Sequence, residues 1–295
     1  MTCSMRTPFF RHPIFLRHLL AVLIALAAMA AHGEQGVLYD RPSRYSNIVV
    51  TQESDGTRTL RFERGGARQS VVKMDDPGYV ALPYVRAALA ALALVQEPRR
   101  ILVVGLGGGT LPRFLHHYYP AATIDAVDID PDVVQVAREY FGLREDARLR
   151  AHVADGRQFI EQVRAPYDLV FLDAYGASSV PAHMTTEEFV RAARRAIRAD
   201  GVVVGNLWSG EHNPLYNAMA RTYLEVFDTV KIIPAGGNRI VLALPRKERI
   251  DTRSLASRAS RVSAAKNFPF DLGAAVIDQP AYERDPIRAA RVLHD

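Results

Sequence analysis

From residue 100 to residue 244 the chain alternates short apolar runs with longer amphipathic segments. Ile101–Val104, Thr123–Val127, Leu149–Val153, Leu169–Asp173, Val202–Asn206, Val230–Ile233 and Ile240–Leu244 have the length and β-branched content of buried strands. Between them, Leu111–Tyr118, Pro131–Tyr140, Arg157–Val163, Glu187–Ile197 and Leu215–Val226 read as helices, with Asp130 as a cap before Pro131 and Asp200-Gly201 closing a helix ahead of its strand. Such alternation predicts an α/β, Rossmann-like fold, a mostly parallel seven-stranded sheet with helices on both faces. The loop Pro234–Asn238 is hairpin-length, so one of the last two strands is expected to run antiparallel.

Ahead of this region the period changes. Asn47–Thr51 and Thr59–Phe62 alternate around the turn Ser54-Asp55-Gly56, and Gly65-Gly66 precedes Ser70–Lys73. These predict a small antiparallel β domain in front of the main one. Val80–Val95, rich in Ala and Leu, favours a helix. The expected organisation is a leader over 1–33, a β-hairpin domain over 34–79, a nucleoside-binding domain over 80–245 and a tail over 246–295 without an assigned role.

The chemistry concentrates in Ile101–Asp130. Gly105, Gly107, Gly108 and Gly109 let the backbone turn tightly after the first strand, and Thr110 opens a helix whose amides face that turn. Asp128 follows at the end of the second strand. An acid about 20 residues past a glycine turn is the arrangement that binds ribose hydroxyls. Thr110 stands where a dinucleotide fingerprint has its third glycine, which favours a nucleoside without a pyrophosphate and disfavours a nicotinamide oxidoreductase. Asp155, in Val153-Ala154-Asp155-Gly156, and Asp173, in the run 168–174 (DLVFLDA), end the third and fourth strands on the same carboxyl edge. Asp155 is placed to accept from an adenine amine, or to cap the next helix.

Composition narrows the picture. A net charge of +5 is spread over scattered Arg residues, without a basic run, an interleaved aromatic platform or zinc-type spacing, so nucleic acid is not an expected partner and no metal is expected. The first 33 residues hold Arg6, Arg11 and Arg17, no acid, and the apolar run Leu19–Ala31 followed by the small-residue pattern Ala28-Met29-Ala30. Thirteen apolar residues are short for a bilayer core of about 30 Å, so a cleaved signal peptide and a periplasmic location are expected. A membrane tether, or a cytoplasmic chain starting at Met29, are the alternatives. The single cysteine, Cys3, lies in this leader, leaving a mature chain without thiols.

The stretch from Ser43 to Leu244 resembles the spermidine synthases, or polyamine aminopropyltransferases, built on the adenosylmethionine-dependent methyltransferase fold. Ser43–Ile48 (SRYSNI) is similar to the family's SxYQxI. Asp75–Tyr79 (DDPGY) is similar to DExxY, which would make Tyr79 the substrate-pocket tyrosine. Gly105–Arg113 aligns with GGGDGGxxR, Asp128 with the ribose acid, Asp155 with the acid of GDG, and Asp173 with Pro181-Ala182 with DSSDPxGPA. The resemblance implies decarboxylated S-adenosylmethionine or S-adenosylmethionine as co-substrate, a polyamine such as putrescine as the small-molecule partner, and at most a second copy of the chain in a homodimer. Asp173 and Tyr79 would then be catalytic, with Gly105, Gly107, Gly109, Asp128 and Asp155 around the nucleoside.

The chain departs from that pattern where charge matters. Gly108 replaces the acid inside the glycine turn, Gly176 falls where the second acid of DSSD is expected, and Val80 and Ala81 replace a polar pair. Aminopropyl transfer must deprotonate an alkylamine of pKa about 10, and a positioned base is worth about 10²–10⁴ in rate. Asp173 is the candidate for that base, with Tyr175 positioning and His183 as a second candidate; Glu211 and His212 are further candidate pocket residues, and Trp208 is expected to pack or to cover the adenine. The losses at Gly108 and Gly176 also admit an S-adenosylmethionine-dependent methyltransferase, or a nucleoside- or polyamine-binding protein without catalysis. The leader has its own test: N-terminal sequencing of the expressed full chain should give a start at Ala31 or Glu34, and a start at Met1 would contradict cleavage.

Overall fold

The computed structural model describes residues 36–175, 180–277 and 285–295; the leader, Cys3 and Gly176 lie outside these residues. The N-terminal four-stranded antiparallel sheet runs β1 (Gly36–Pro42), β2 (Asn47–Gln52), β3 (Arg58–Arg61) and β4 (Arg68–Val72) in chain order. Its buried face carries Ile48, Val50, Leu60 and Val72, which pack against Val133, Val136 and Phe141 of the main domain. The small sheet therefore closes over the main one.

The main sheet contains β5 (Arg100–Val104), β6 (Thr123–Asp128), β7 (Leu149–Val153), β8 (Tyr167–Leu172), β9 (Ile197–Trp208), β10 (Thr229–Ala235) and β11 (Asn238–Leu244). Its order is β10-β11-β9-β8-β5-β6-β7, and β11 alone runs antiparallel to its neighbours. The chain leaves β5 towards β6 and β7, then returns to the other side of β5 as β8. That reversal is the switch point at which open α/β sheets leave a crevice beyond the strand ends. The helices are α1 (Pro83–Leu89), α2 (Thr110–Tyr118), α3 (Pro131–Tyr140), α4 (Gly156–Glu161), α5 (Glu187–Arg195), α6 (Tyr216–Val226), α7 (Thr252–Lys266), α8 (Leu272–Ile277) and α9 (Asp285–Ala289). Cores on the two faces of the sheet separate α1, α2, α7 and α8 from α4, α5 and α6.

Three sequence expectations change. The Val80–Val95 helix is the short α1 followed by a 3-10 turn over Ala90–Ala93. Asp200-Gly201 does not close a helix: α5 ends at Arg195, and both residues lie within β9 where its pairing with β8 is irregular. Gly201 is tolerated there because the carbonyls of Asp168 and Arg198 come within about 3 Å of where a Cβ would sit. The third concerns the tail. Asp251 caps α7 by accepting from the Ser254 amide at 2.8 Å, and Leu255, Ala259, Leu272 and Val276 are buried in the same core as Ile101 and Phe114. Phe268 and Phe270 pack on Phe114 with ring centroids 4.9 and 5.7 Å away.

Residues 246–277 thus complete one face of the main domain. Among the described residues, no helix is long and apolar enough to cross a membrane. Leu255→Ala should cost about 2–5 kcal/mol of stability through the cavity it opens. Urea unfolding would measure this, and an unchanged midpoint would make the tail an appendage.

Candidate active site

Two cavities open at the carboxyl ends of β5, β6, β7, β8 and β9, and they share one wall. The first, of about 320 Å³, is lined by the glycine turn, Asp128, Asp130, Asp155, Asp173 and His183. The second, of about 640 Å³, is lined by Arg68, Asn206, Trp208, His212 and Asn238. Gln69, Leu82, Tyr84, Asp173 and Tyr175 line both.

The turn is shaped by contacts that leave no room for side chains. Gly105 has φ +93°, and a Cβ there would lie 2.1 Å from the Asp173 carbonyl oxygen. Glycine therefore allows the ends of β5 and β8 to touch, which brings Asp173 beside the turn. Asp128 holds the turn from the other side: its carboxylate accepts from the Leu106 amide at 2.9 Å and from the Asp130 amide at 3.0 Å. Burial pushes its pKa up, against these amides. A carboxylate has about four acceptor directions, so two amides still leave capacity for ribose hydroxyls in the cavity it lines.

Of the two expectations for Asp155, the helix cap is the one seen. It lines the first cavity and also caps α4, accepting from the Gln158 amide at 2.9 Å. Its other oxygen lies 2.9 Å from His183 Nε2. Burial alone would raise its pKa, but the Gln158 amide and His183 together hold it below the usual carboxylate value. His183 is thereby engaged at the nucleoside end and does not line the second cavity.

Asp173 occupies the shared wall. Its Oδ1 accepts from Asn206 Nδ2 at 2.7 Å, and Asn206 Oδ1 accepts in turn from Asn238 Nδ2 at 2.8 Å. The Tyr84 hydroxyl, which donates to the Gln69 carbonyl at 3.3 Å, lies beside the carboxyl. Burial is the largest influence and raises the Asp173 pKa to about 7, with Asn206 and Tyr84 opposing it. The same burial, with Asp173 beside it, drives the Tyr84 phenol well above its ordinary value.

Tyr79, expected in the substrate pocket, lines neither cavity, whereas Tyr84 lines both. Residues 75–79 are spent on a turn in which Asp76 Oδ1 accepts from the Gly78 amide at 2.9 Å and the Asp76 carbonyl from the Tyr79 amide at 3.2 Å. Tyr79 consequently packs on the edge of the core under the Lys73 ammonium, 5.1 Å from its ring centroid, and lines neither cavity. Pro83 then starts α1 and sets Tyr84 in its first turn against the glycine loop. Trp208 is also relocated: it stacks on Tyr175 at 4.9 Å and 14°, lining the second cavity and not the first. His212 lines the second cavity; Glu211 lines neither.

Sequence reasoning missed Tyr84 and Asn206. The available signals were a tyrosine directly after a helix-starting proline and a lone amide in the apolar run 202–207 (VVVGNL). Among the described residues, no cluster of acids, histidines or cysteines could hold a metal ion.

A polyamine aminopropyltransferase of Vibrio vulnificus is 34% identical to this chain over 242 residues, covering 79% of each protein. One from Chromobacterium violaceum is 37% identical over 207 residues, 68% of this chain and 78% of its own length. The Spermine/spermidine synthase domain matches residues 85–230.

The chain belongs to the spermidine/spermine synthase family.

In fold, this family member superposes on a probable spermidine synthase of Corynebacterium glutamicum with a TM-score of 0.69 at 21% identity, covering 88% of this chain and 96% of that one. It also resembles human methyltransferase-like protein 13, solved with SAH, with a TM-score of 0.56 at 25% identity over 70% of this chain and 96% of that one. The family's acid in the glycine turn, absent at Gly108, has lost its space as well as its charge. The Gly108 amide donates to Ser70 Oγ at 2.8 Å, and a Cβ there would meet Phe141 at 2.7 Å and Ser70 Cβ at 2.9 Å. Gly108 does not line either cavity. Restoring the acid with Gly108→Asp should therefore destabilise the protein by about 1–3 kcal/mol through overpacking and leave nucleoside affinity no better. Thermal melting and calorimetry would check both, and a stable variant with tighter nucleoside binding would contradict the closed geometry.

Proposed function

We propose that this chain transfers an aminopropyl group from decarboxylated S-adenosylmethionine to a primary amine, the polyamine chemistry named in its relatives. The observation that carries the reading is the buried Asp173 carboxyl at the wall between the two cavities. On this reading the first cavity takes the nucleoside, a ligand class carried by the neighbour solved with SAH and by a spermidine synthase solved with the transition-state analogue AdoDATO. The second cavity takes the amine.

The first cavity favours the decarboxylated donor. Four carboxyl groups line it, Asp128, Asp130, Asp155 and Asp173, and among the described residues no Lys or Arg does. A donor ending in an ammonium suits such a lining, whereas an amino-acid carboxylate would meet unfavourable charge. Asp128 would hold the ribose hydroxyls, and Asp155 is at hand for the adenine end.

Transfer is a displacement at the donor carbon beside the sulfonium. The acceptor nitrogen forms the new C–N bond, the C–S bond breaks, and the neutral thioether nucleoside leaves with the electron pair on sulfur. The nitrogen must give up one proton, and Asp173 is the group placed to accept it. Near neutral pH a substantial fraction of this carboxyl is ionised, and its match to the working pH is what general-base catalysis requires. Asn206 and Tyr84 orient the carboxyl so that proton transfer needs little rearrangement.

A methyltransferase reading draws on one observation: the human eEF1A lysine and N-terminal methyltransferase is 33% identical over 151 residues, 45% of this chain and 22% of its own length. The lining of the first cavity weighs against it. Location follows the leader: a cleaved chain would work outside the cytoplasm on donor supplied there.

The base form of Asp173 accumulates as pH rises, so kcat/KM for aminopropyl transfer should climb through a limb near pH 7. Asp173→Asn should remove that limb and lower kcat by about 10²–10⁴-fold. Product formation followed by mass spectrometry across pH 5.5–8.5, roughly one and a half decades in proton activity to either side of the group, would test this. Full activity in the variant would sink the proposal.

A further inference from the structure

The two cavities differ in charge, and the difference bears on the acceptor. Leaving aside Tyr84 and Tyr175, the ionisable side chains lining the second cavity are Asp173, Arg68 and His212. Asp173 is the single carboxylate, and it lies on the wall shared with the first cavity. Arg68 begins β4, is exposed to solvent, and has no ion-pair partner among the described residues. The rest of the lining is uncharged: Leu82, Pro83 and the stacked Tyr175 and Trp208, with the amides of Gln69, Asn206 and Asn238.

An acceptor whose amine reaches Asp173 therefore shares the second cavity with one guanidinium and no second carboxylate. A diamine would set its second ammonium in a cavity with no second carboxylate and with Arg68 at its edge, and a like charge without a counter-ion is disfavoured. A carboxylate or another anionic group at that distance would meet the guanidinium, which suits planar oxyanions.

We infer that the acceptor of this chain carries one amine and an anionic far end, as in an ω-amino acid, and that Arg68 selects against diamines. This rests on the second cavity being the amine's, as proposed above.

Putrescine, butylamine and 5-aminopentanoate share an amine on a four-carbon spacer and differ at the far end, being cationic, neutral and anionic. Their binding to the full chain would be measured by calorimetry, with and without methylthioadenosine, in wild type and in Arg68→Glu and Arg68→Lys. At low salt the wild type should bind 5-aminopentanoate about three- to tenfold more tightly than putrescine, an exposed-to-half-buried charge contact being worth that much, with butylamine between. Arg68→Lys should keep the order and Arg68→Glu should invert it, which separates charge from a merely structural role. Putrescine binding as well as 5-aminopentanoate, an order unchanged by Arg68→Glu, or no amine binding in either condition would overturn the inference. Failure of the transferase reading looks different: the binding order would hold, while no aminopropyl product formed with any of the three amines.

Discussion

A carboxyl group buried without a cation is costly unless neutral donors hold it, and the site is built around one such group. Asp173 is held by the Asn206 amide, with the Tyr84 hydroxyl beside it. No Arg or Lys pairs with it among the described residues. Burial raises its pKa to about 7, and a base of that strength is useful at neutral pH. Three separate elements must meet to produce it. Strand β8 ends at the carboxyl, β9 supplies Asn206, and α1 supplies Tyr84. The contact of β8 with the turn after β5 depends on Gly105, where any side chain would strike the Asp173 backbone. The asparagine relay reaches back to Asn238 at the start of β11, so the antiparallel strand also fixes the base.

The glycine turn shows how a family scaffold can lose a charged group without leaving a hole. Ser70, on the N-terminal sheet, takes up the Gly108 amide, and Phe141 fills the adjacent space. The small sheet therefore does more than cover the site. It supplies Ser70 to the turn, Gln69 to both cavities and Arg68 to the second.

Much of this was legible in the sequence. Continuous apolar runs located the strands from Ile101 to Leu244, whose central members are buried on both faces, and amphipathic segments located the helices between them. Asp128, Asp155 and Asp173 were found because chain order places them on one sheet edge, where the structure has them lining one cavity. Tyr79 lies away from the cavities because the turn at Asp76 absorbs DDPGY, which its local sequence did not reveal, and Pro83 starts the helix that carries Tyr84 to their shared wall. Asn206 was hidden because a hydrogen bond between residues 33 apart leaves no local pattern. Helix α7 was overlooked because its Arg and Ser content dilutes the apolar stripe of Leu255, Ala256 and Ala259.

The acid-lined first cavity and the uncharged partners of Asp173 lead to one measurement above others. Calorimetry of the full chain with decarboxylated S-adenosylmethionine and with S-adenosylmethionine compares donors that differ by a single carboxylate. Tighter binding of the decarboxylated form, by about tenfold or 1.4 kcal/mol, is the expected result. Equal affinity, or a preference for S-adenosylmethionine itself, would contradict the assignment of this cavity to an aminopropyl donor.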